Sequence, residues 1–219
     1  MAIIVPAILE ADKEKLESKL FAASRISGVT TMQIDFCDGS FVEGKTVPIK
    51  EVDVLSPAFT WEAHLMVQEP VDFLDYQMVG FKRLVVHYES FSSEKQLEEA
   101  IDQIAKLGME VAIAINPETP VSNLRYFTDT IKQFTLLSVN PGKQGNPFIE
   151  ASVERVKELR GIAPHAIIEV DGGVNVIHAP VLTEAGADML AVGSALFDTE
   201  PVQESYDALV SAATHIVAT

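Results

Sequence analysis

The chain has 219 residues, 47% of them hydrophobic and 22% charged, with a formal net charge of −16. At this length packing alone sustains a core without disulfides or a structural metal, and the lone cysteine, Cys37, has no internal partner. The acidic balance repels nucleic acid and anionic lipid, and no stretch reaches the roughly 18 consecutive apolar residues of a membrane span. The amino terminus lacks the basic flank and long apolar core of a signal peptide, and Pro6 interrupts the run Ala2-Ile3-Ile4-Val5, so a reducing cytoplasm is expected.

Short β-branched runs alternate with stretches of helical spacing from end to end. Ile3 to Val5 predicts a first strand and Lys13 to Ile26 a helix. Thr31 to Asp35 and Thr60 to His64 predict strands two and three, with only a weak segment around Lys50 to Leu55 between them. Val71 to Val79 reads as helical, Leu84 to His87 as strand four, Lys95 to Leu107 as helical and Val111 to Ile115 as strand five. Val121 to Thr128 precedes strand six at Thr135 to Val139, Ile149 to Leu159 precedes strand seven at Ala166 to Val170, and Val176 to Ala185 precedes strand eight at Met189 to Val192. Val202 to Ile216 is the last helical stretch. Gly28, Gly80, Gly108, Gly161 and Gly186 follow helical runs, where C-terminal caps are expected.

Strict alternation with continuous apolar strands implies a parallel sheet covered by helices. Eight such units suit a closed (β/α)8 TIM barrel, spanning 1–219 as one domain. A doubly wound sheet usually has fewer strands, and no Gly-x-Gly-x-x-Gly follows the first strand, where Pro6-Ala7-Ile8-Leu9 stands instead.

In such a barrel, chemistry gathers at the C-terminal ends of the strands. Gln33 and Asp35 share one face near the end of strand two, because alternate strand residues point the same way. Strand three ends in His64, strand four in His87, and strand seven runs into Asp171-Gly172-Gly173. Asp35, His64 and Asp171 come from three separate strands to one rim, which points to a site rather than to three isolated caps. Asp38, before a glycine, reads as a turn former. His165, His178 and His215 fall away from the rim and carry no role. Gly142, Gly145, Gly172, Gly173 and Gly193 cluster in three successive loops that permit close backbone approach, and with Ser194 they form an expected phosphate pocket.

Several blocks resemble the ribulose-phosphate 3-epimerase family. They are Val5-Pro6-Ala7-Ile8-Leu9, Ile34-Asp35-Phe36-Cys37-Asp38-Gly39-Ser40-Phe41-Val42, His64-Leu65-Met66, Asn116-Pro117-Glu118-Thr119-Pro120, Ser138-Val139-Asn140-Pro141-Gly142 and Glu169-Val170-Asp171-Gly172-Gly173-Val174. The resemblance, from Ile4 to Phe197, implies a ribulose-phosphate-binding type of barrel. It also implies a metal-dependent isomerase that interconverts D-ribulose 5-phosphate and D-xylulose 5-phosphate in the pentose phosphate pathway.

By resemblance, Asp35 and Asp171 alternate as general base and acid through an enediolate. Together with His64 they ligate a divalent ion of the zinc, iron, manganese or cobalt class. Met66, Ser138 and Asn140 are retained on the substrate side, beside His64 and the phosphate loops. The implied partner is a phosphorylated ketose, and a homo-oligomer is common in the family.

Departures cluster at the same rim. Gln33 stands where the family has a histidine, offering a neutral oxygen in place of imidazole as a possible fourth ligand. Ala7 replaces a serine, Gly44 an asparagine, and Cys37 and Leu137 replace methionines. Cys37 reads as an apolar filler rather than a nucleophile. Lys143-Gln144-Gly145-Asn146 departs from the family's glycine-rich loop, where Lys143 either supplies phosphate contacts or projects into water. The leading expectation is an active 3-epimerase with an altered metal shell. The alternative is a phosphate-binding relative, non-catalytic or of different specificity, with an impaired metal site. A decarboxylase or aldolase-like synthase of the orotidine monophosphate decarboxylase group is disfavoured, because Trp61 to Met66 on strand three lacks the lysine of their Asp-x-Lys-x-x-Asp pattern.

Overall fold

A computed structural model of the chain describes residues 1–52, 55–75, 80–142 and 145–214. Eight parallel strands close in sequence order into a barrel: β1 (Ile3–Ile8), β2 (Thr31–Cys37), β3 (Thr60–Met66), β4 (Phe81–His87), β5 (Glu110–Ile115), β6 (Gln133–Leu137), β7 (Ile167–Asp171) and β8 (Met189–Val192). The α-helices among the described residues are α1 (Lys13–Ser24), α2 (Glu94–Lys106), α3 (Ser152–Ile162), α4 (His178–Ala185), α5 (Ser194–Phe197) and α6 (Val202–Thr214). No helix among the described residues is long and apolar enough to cross a membrane.

Each predicted strand is present, and the differences lie mainly between strands. The stretch from Val121 is a 3-10 helix, Val121–Phe127, whose buried residues Val121, Leu124 and Phe127 recur every three positions. That spacing matches the three residues per turn of a 3-10 helix, which places all three on one line against the barrel. The predicted helix at Val71 is likewise a 3-10 turn, Pro70–Asp75, and the rest of that prediction, through Val79, lies outside the described residues. The weak segment at Lys50 is a single 3-10 turn, Ile49–Glu51. Gly161 is not a cap: α3 runs through it to Ile162 and ends at Ala163, because Pro164 cannot extend the helix. Gly186 does cap α4, with a left-handed φ of 115°. Residues 215–219, including His215 and the end of the last predicted helix, lie outside the described residues.

The core has two parts. Outside the barrel, Ile4, Ile34, Leu65, Leu84, Ile113 and Ile168 pack against helix residues such as Leu16, Leu97, Val156 and Leu182. Inside it, apolar packing among buried residues forms only a small separate cluster of Val85, Ala112, Ala114 and Leu137. The expectation of continuously apolar strands is therefore corrected. Gln33, Asp35, Glu62, His64, Gln133, Thr135, Glu169 and Asp171 are buried polar residues on strands. Their side chains meet across the barrel, which places them on its inner face: Gln33 of β2 reaches Asp171 of β7, and Gln133 of β6 reaches Glu62 of β3.

One polar layer fills the barrel below its mouth. Gln133 Nε2 donates to Glu62 Oε1 at 3.3 Å and to Glu169 Oε2 at 3.1 Å, and the Thr135 hydroxyl donates to Glu169 Oε2 at 2.9 Å. Arg83 is paired with Glu62, and its Nη2 donates to Glu110 Oε2 at 2.6 Å. Among the described residues, no cation pairs with Glu169 in this layer. Burial first, then the charges of Glu62 and Asp171, push its carboxyl well above the usual range near 4.5. The folded chain thus holds a proton that the unfolded chain releases as pH passes 4.5, and unfolding stability should fall as pH rises between those two values. The slope for one proton is about 1.4 kcal/mol per pH unit. Glu169→Gln, which cannot release that proton, is expected to flatten the decline, read from urea unfolding of both proteins at a series of pH values.

Candidate active site

Parallel pairing sets the chemistry side by side. Asp35 pairs in register with His64, Cys37 with Met66, and Leu137 with Asp171. Closure through β8 and β1 brings β7 within three strands of β2, so Asp171 and Asp35 converge at the mouth. Gln33, fully buried between them, donates through Nε2 to Asp35 Oδ1 at 2.8 Å and to Asp171 Oδ2 at 2.8 Å. His64 Nδ1 lies 3.1 Å from the same two oxygens. Two carboxylates, one amide and one imidazole thus share a single point.

The electrostatics follow from that crowding. Burial pushes the Asp35 carboxyl up, and the charge of Asp171 adds to it against the hydrogen bonds from His64 and Gln33. Burial alone would depress His64, yet its contacts with Asp171 and Asp35 dominate and push the imidazole up to about 10. Two anions at this spacing demand a positive partner between them, either a proton on His64 or a metal ion. The residues fit a metal: ligand atoms of Asp35, His64 and Asp171 all lie within 4.8 Å of one another. Gln33 Oε1, buried and without a hydrogen-bond partner, is a further oxygen the chain can offer. The Gln33 amide nitrogen, however, and not its oxygen, faces the cluster, bonded to one oxygen of each carboxylate.

One cavity opens above this cluster. Asp35, His64, Met66 and Asp171 line its floor, and Gly142, Gly145, Gly172, Gly173, Gly193 and Ser194 line its sides, with Ala7 and Leu137 adding apolar surface. Gly172 has φ of 104°, and a Cβ there would come within 2.4 Å of Val139 Cγ2, so only glycine lets this loop pass so close to β6's end. Ser138 and Asn140 lie off the cavity. Ser138 is fully buried and donates to the backbone carbonyls of Asp171 and Gly172, while Asn140 is exposed and accepts from Asn146 Nδ2 through its carbonyl. Ser138 therefore shapes the Asp171-Gly172 turn from behind. Lys143 lies outside the described residues.

Asp38 is a turn former: its Oδ1 accepts from the backbone N–H groups of Ser40 and Phe41, and its Oδ2 from that of Gln68. The Cys37 thiol is buried and pushed up to about 12, first by burial and then by the charges of Asp35 and Asp38, so it carries no thiolate for nucleophilic attack. His178 corrects the sequence reading, because it is not remote from the rim. Its Nδ1 lies 2.8 Å from the Gly173 carbonyl, and its ring stacks on Phe148 at 4.0 Å. Sequence reasoning also passed over Glu89 and gave His87 no task. His87 is fully buried behind His64, with Nε2 atoms 2.9 Å apart, and Glu89 lies behind His87 in turn. The available signal was a histidine at a strand end with an acid two residues on.

A closed parallel eight-stranded barrel with a buried cluster of two acids, a histidine and an amide at its C-terminal mouth is a (β/α)8 barrel with its polar site where such barrels carry one. The profile of the ribulose-phosphate 3 epimerase family matches residues 3–197, and the chain belongs to that family. It is 35% identical over 212 residues to the chloroplastic ribulose-5-phosphate-3-epimerase of Arabidopsis thaliana, covering 93% of this chain and 74% of that one. Against ribulose-phosphate 3-epimerase of Bacillus subtilis the identity is 32% over 205 residues, covering 90% and 93%. The fold is also similar to a solved 3-hexulose-6-phosphate synthase from Salmonella typhimurium, with a TM-score of 0.70 at 14% identity, covering 99% of this chain and 100% of that one.

Replacing Gln33 by leucine removes both charge-assisted hydrogen bonds and leaves two buried carboxylates underpaired. In the presence of a chelator, Gln33→Leu is expected to lose roughly 2–3 kcal/mol of stability in urea unfolding.

Proposed function

We propose that the chain epimerises C3 of a phosphorylated ketose, D-ribulose 5-phosphate to D-xylulose 5-phosphate, by two-carboxylate proton transfer. The observation that carries this reading is the convergence of Asp35 and Asp171, from two non-adjacent strands of one mouth, on the same small volume. Inverting a carbon beside a ketone needs a base on one face and an acid on the other, with an enediolate between the two transfers. Burial raises the Asp35 carboxyl above the usual carboxylate range, which favours its proton-holding form, and Asp171 faces it from β7. Asp35, His64 and Asp171 would hold a divalent ion, which supplies charge stabilisation for the enediolate oxygens.

The rest of the cavity binds. Met66, Ala7 and Leu137 give the reacting carbon an apolar cover that excludes water. The lining of the cavity by Gly172, Gly173, Gly193 and Ser194 supports a phosphate held by these loops, since barrels of this kind often bind phosphate after strands seven and eight. Backbone amides of these loops would offset the repulsion that the net charge of −16 exerts on an anion.

A second reading, a barrel that binds a sugar phosphate without turning it over, is favoured by one observation: at Gln33 the cluster is met by an amide N–H donor, which cannot ligate a metal. Exchange of the substrate's C3 proton into deuterated water separates the two. The epimerase reading expects exchange with added divalent metal, lowered about 100-fold or more by Asp35→Asn and by Asp171→Asn. Gln33→His should tighten zinc binding, measured by chelator competition. Binding of pentose or hexose ketose phosphates with no exchange under any metal would establish the second reading.

A further inference from the structure

The hydrogen-bond chain behind His64 has one consistent set of proton positions. Glu89 Oε1 accepts from the backbone N–H of Asn116 at 2.8 Å and from the Thr119 hydroxyl. Its Oε2 lies 3.2 Å from His87 Nδ1. A carboxylate has no hydrogen to give, so His87 Nδ1 carries the proton and His87 Nε2 presents a lone pair. That lone pair lies 2.9 Å from His64 Nε2, which must then be the N–H side of its ring. The two ring planes differ by only 14°, and their centroids, 5.1 Å apart, are separated by the N···N distance plus about two ring radii. The rings therefore meet edge to edge in nearly one plane, the arrangement of a near-linear N–H···N bond. Phe41 packs against His87 with centroids 4.8 Å apart and helps hold that orientation.

We propose that His87, Glu89 and the turn from Asn116 to Thr119 form a positioning relay that holds His64 with its proton on Nε2, so that Nδ1 is delivered as a lone pair to a divalent cation between Asp35 and Asp171. The relay assigns a task to Asn116-Pro117-Glu118-Thr119-Pro120, which the epimerisation itself leaves unused. Arg155 of α3 anchors that turn, with Nη2 donating to the carbonyls of Asn116 at 2.8 Å and Thr119 at 3.0 Å, and Nη1 to that of Leu137 at 3.1 Å. Partners of this kind fix the tautomer of metal-bound histidines generally, and their loss costs about 10–100-fold in metal affinity. The inference rests on reading Asp35, His64 and Asp171 as a metal site.

Glu89→Gln reverses the relay. The Asn116 N–H keeps the amide oxygen, so the amide NH2 faces His87 Nδ1, which must then give up its proton and carry it on Nε2 instead. His64 Nε2 becomes the acceptor, and its Nδ1 is protonated and blocked. Zinc affinity by chelator competition is therefore expected to fall about 10–100-fold in Glu89→Gln and less in Thr119→Val. Long-range proton–nitrogen NMR of zinc-loaded wild type carrying 15N-histidine should show the His64 proton on Nε2 and the metal on Nδ1. A role confined to stabilising the turn would lower the thermal midpoint and leave both readouts unchanged. Unchanged affinity in the folded variants, or a His64 proton on Nδ1 in the zinc-loaded wild type, would overturn the relay alone. A wild-type chain that binds no zinc would remove the metal reading and the relay with it. If Glu89→Gln fails to fold, the wild-type spectrum and Thr119→Val still decide.

Discussion

Two carboxylates, Asp35 and Asp171, are buried on non-adjacent strands of one barrel mouth, and each neighbouring side chain answers to that placement. Like charges so close cannot both stay ionised in a low-dielectric interior without a compensating cation or donors. The Gln33 amide supplies donors, and His64 Nδ1 supplies the point at which a proton or a metal neutralises the pair. The same crowding that makes the cluster costly to bury raises the Asp35 carboxyl and makes His64 hold its positive charge tightly.

The barrel tolerates this because its stability comes from elsewhere. The shell between strands and helices is continuous and apolar, from Ile4 and Ile34 through Leu84 and Ile168 to the buried faces of the helices. The interior is left to polar layers: Glu62, Gln133 and Glu169 below, and Gln33, Asp35, His64 and Asp171 above. Glu169 Oε1, Glu62 Oε2 and Gln133 Oε1 have no hydrogen-bond partner, and unsatisfied groups of this kind cost stability that a well-packed outer shell can offset.

The glycine-rich loops follow the same division of labour. Gly172 passes Val139 too closely for any side chain, Ser138 ties the turn from behind, and His178 braces Gly173 against Phe148. On the opposite side, Glu89 and Arg155 give the Asn116 turn a comparable rigidity and carry it inward to His64.

The order of eight strands was legible in the sequence because β-branched runs and glycine punctuation are local properties, and parallel closure follows from their strict alternation. Asp35, His64 and Asp171 were legible as a set because strand-end positions in such a barrel share one rim. The three-residue spacing of Val121, Leu124 and Phe127 was written in the chain too, but it was read as an α-helix because short apolar periods are ambiguous. What only the tertiary structure decided is which atoms face which. The sequence names Gln33 as a departure; closure of the barrel turns its amide nitrogen toward both acids and leaves its oxygen unpartnered. His87 and Glu89 look like ordinary strand-end residues until β3, β4 and β5 lie side by side. The direction of a hydrogen-bond chain depends on donors and acceptors brought together from distant segments, and no local pattern in a sequence encodes it.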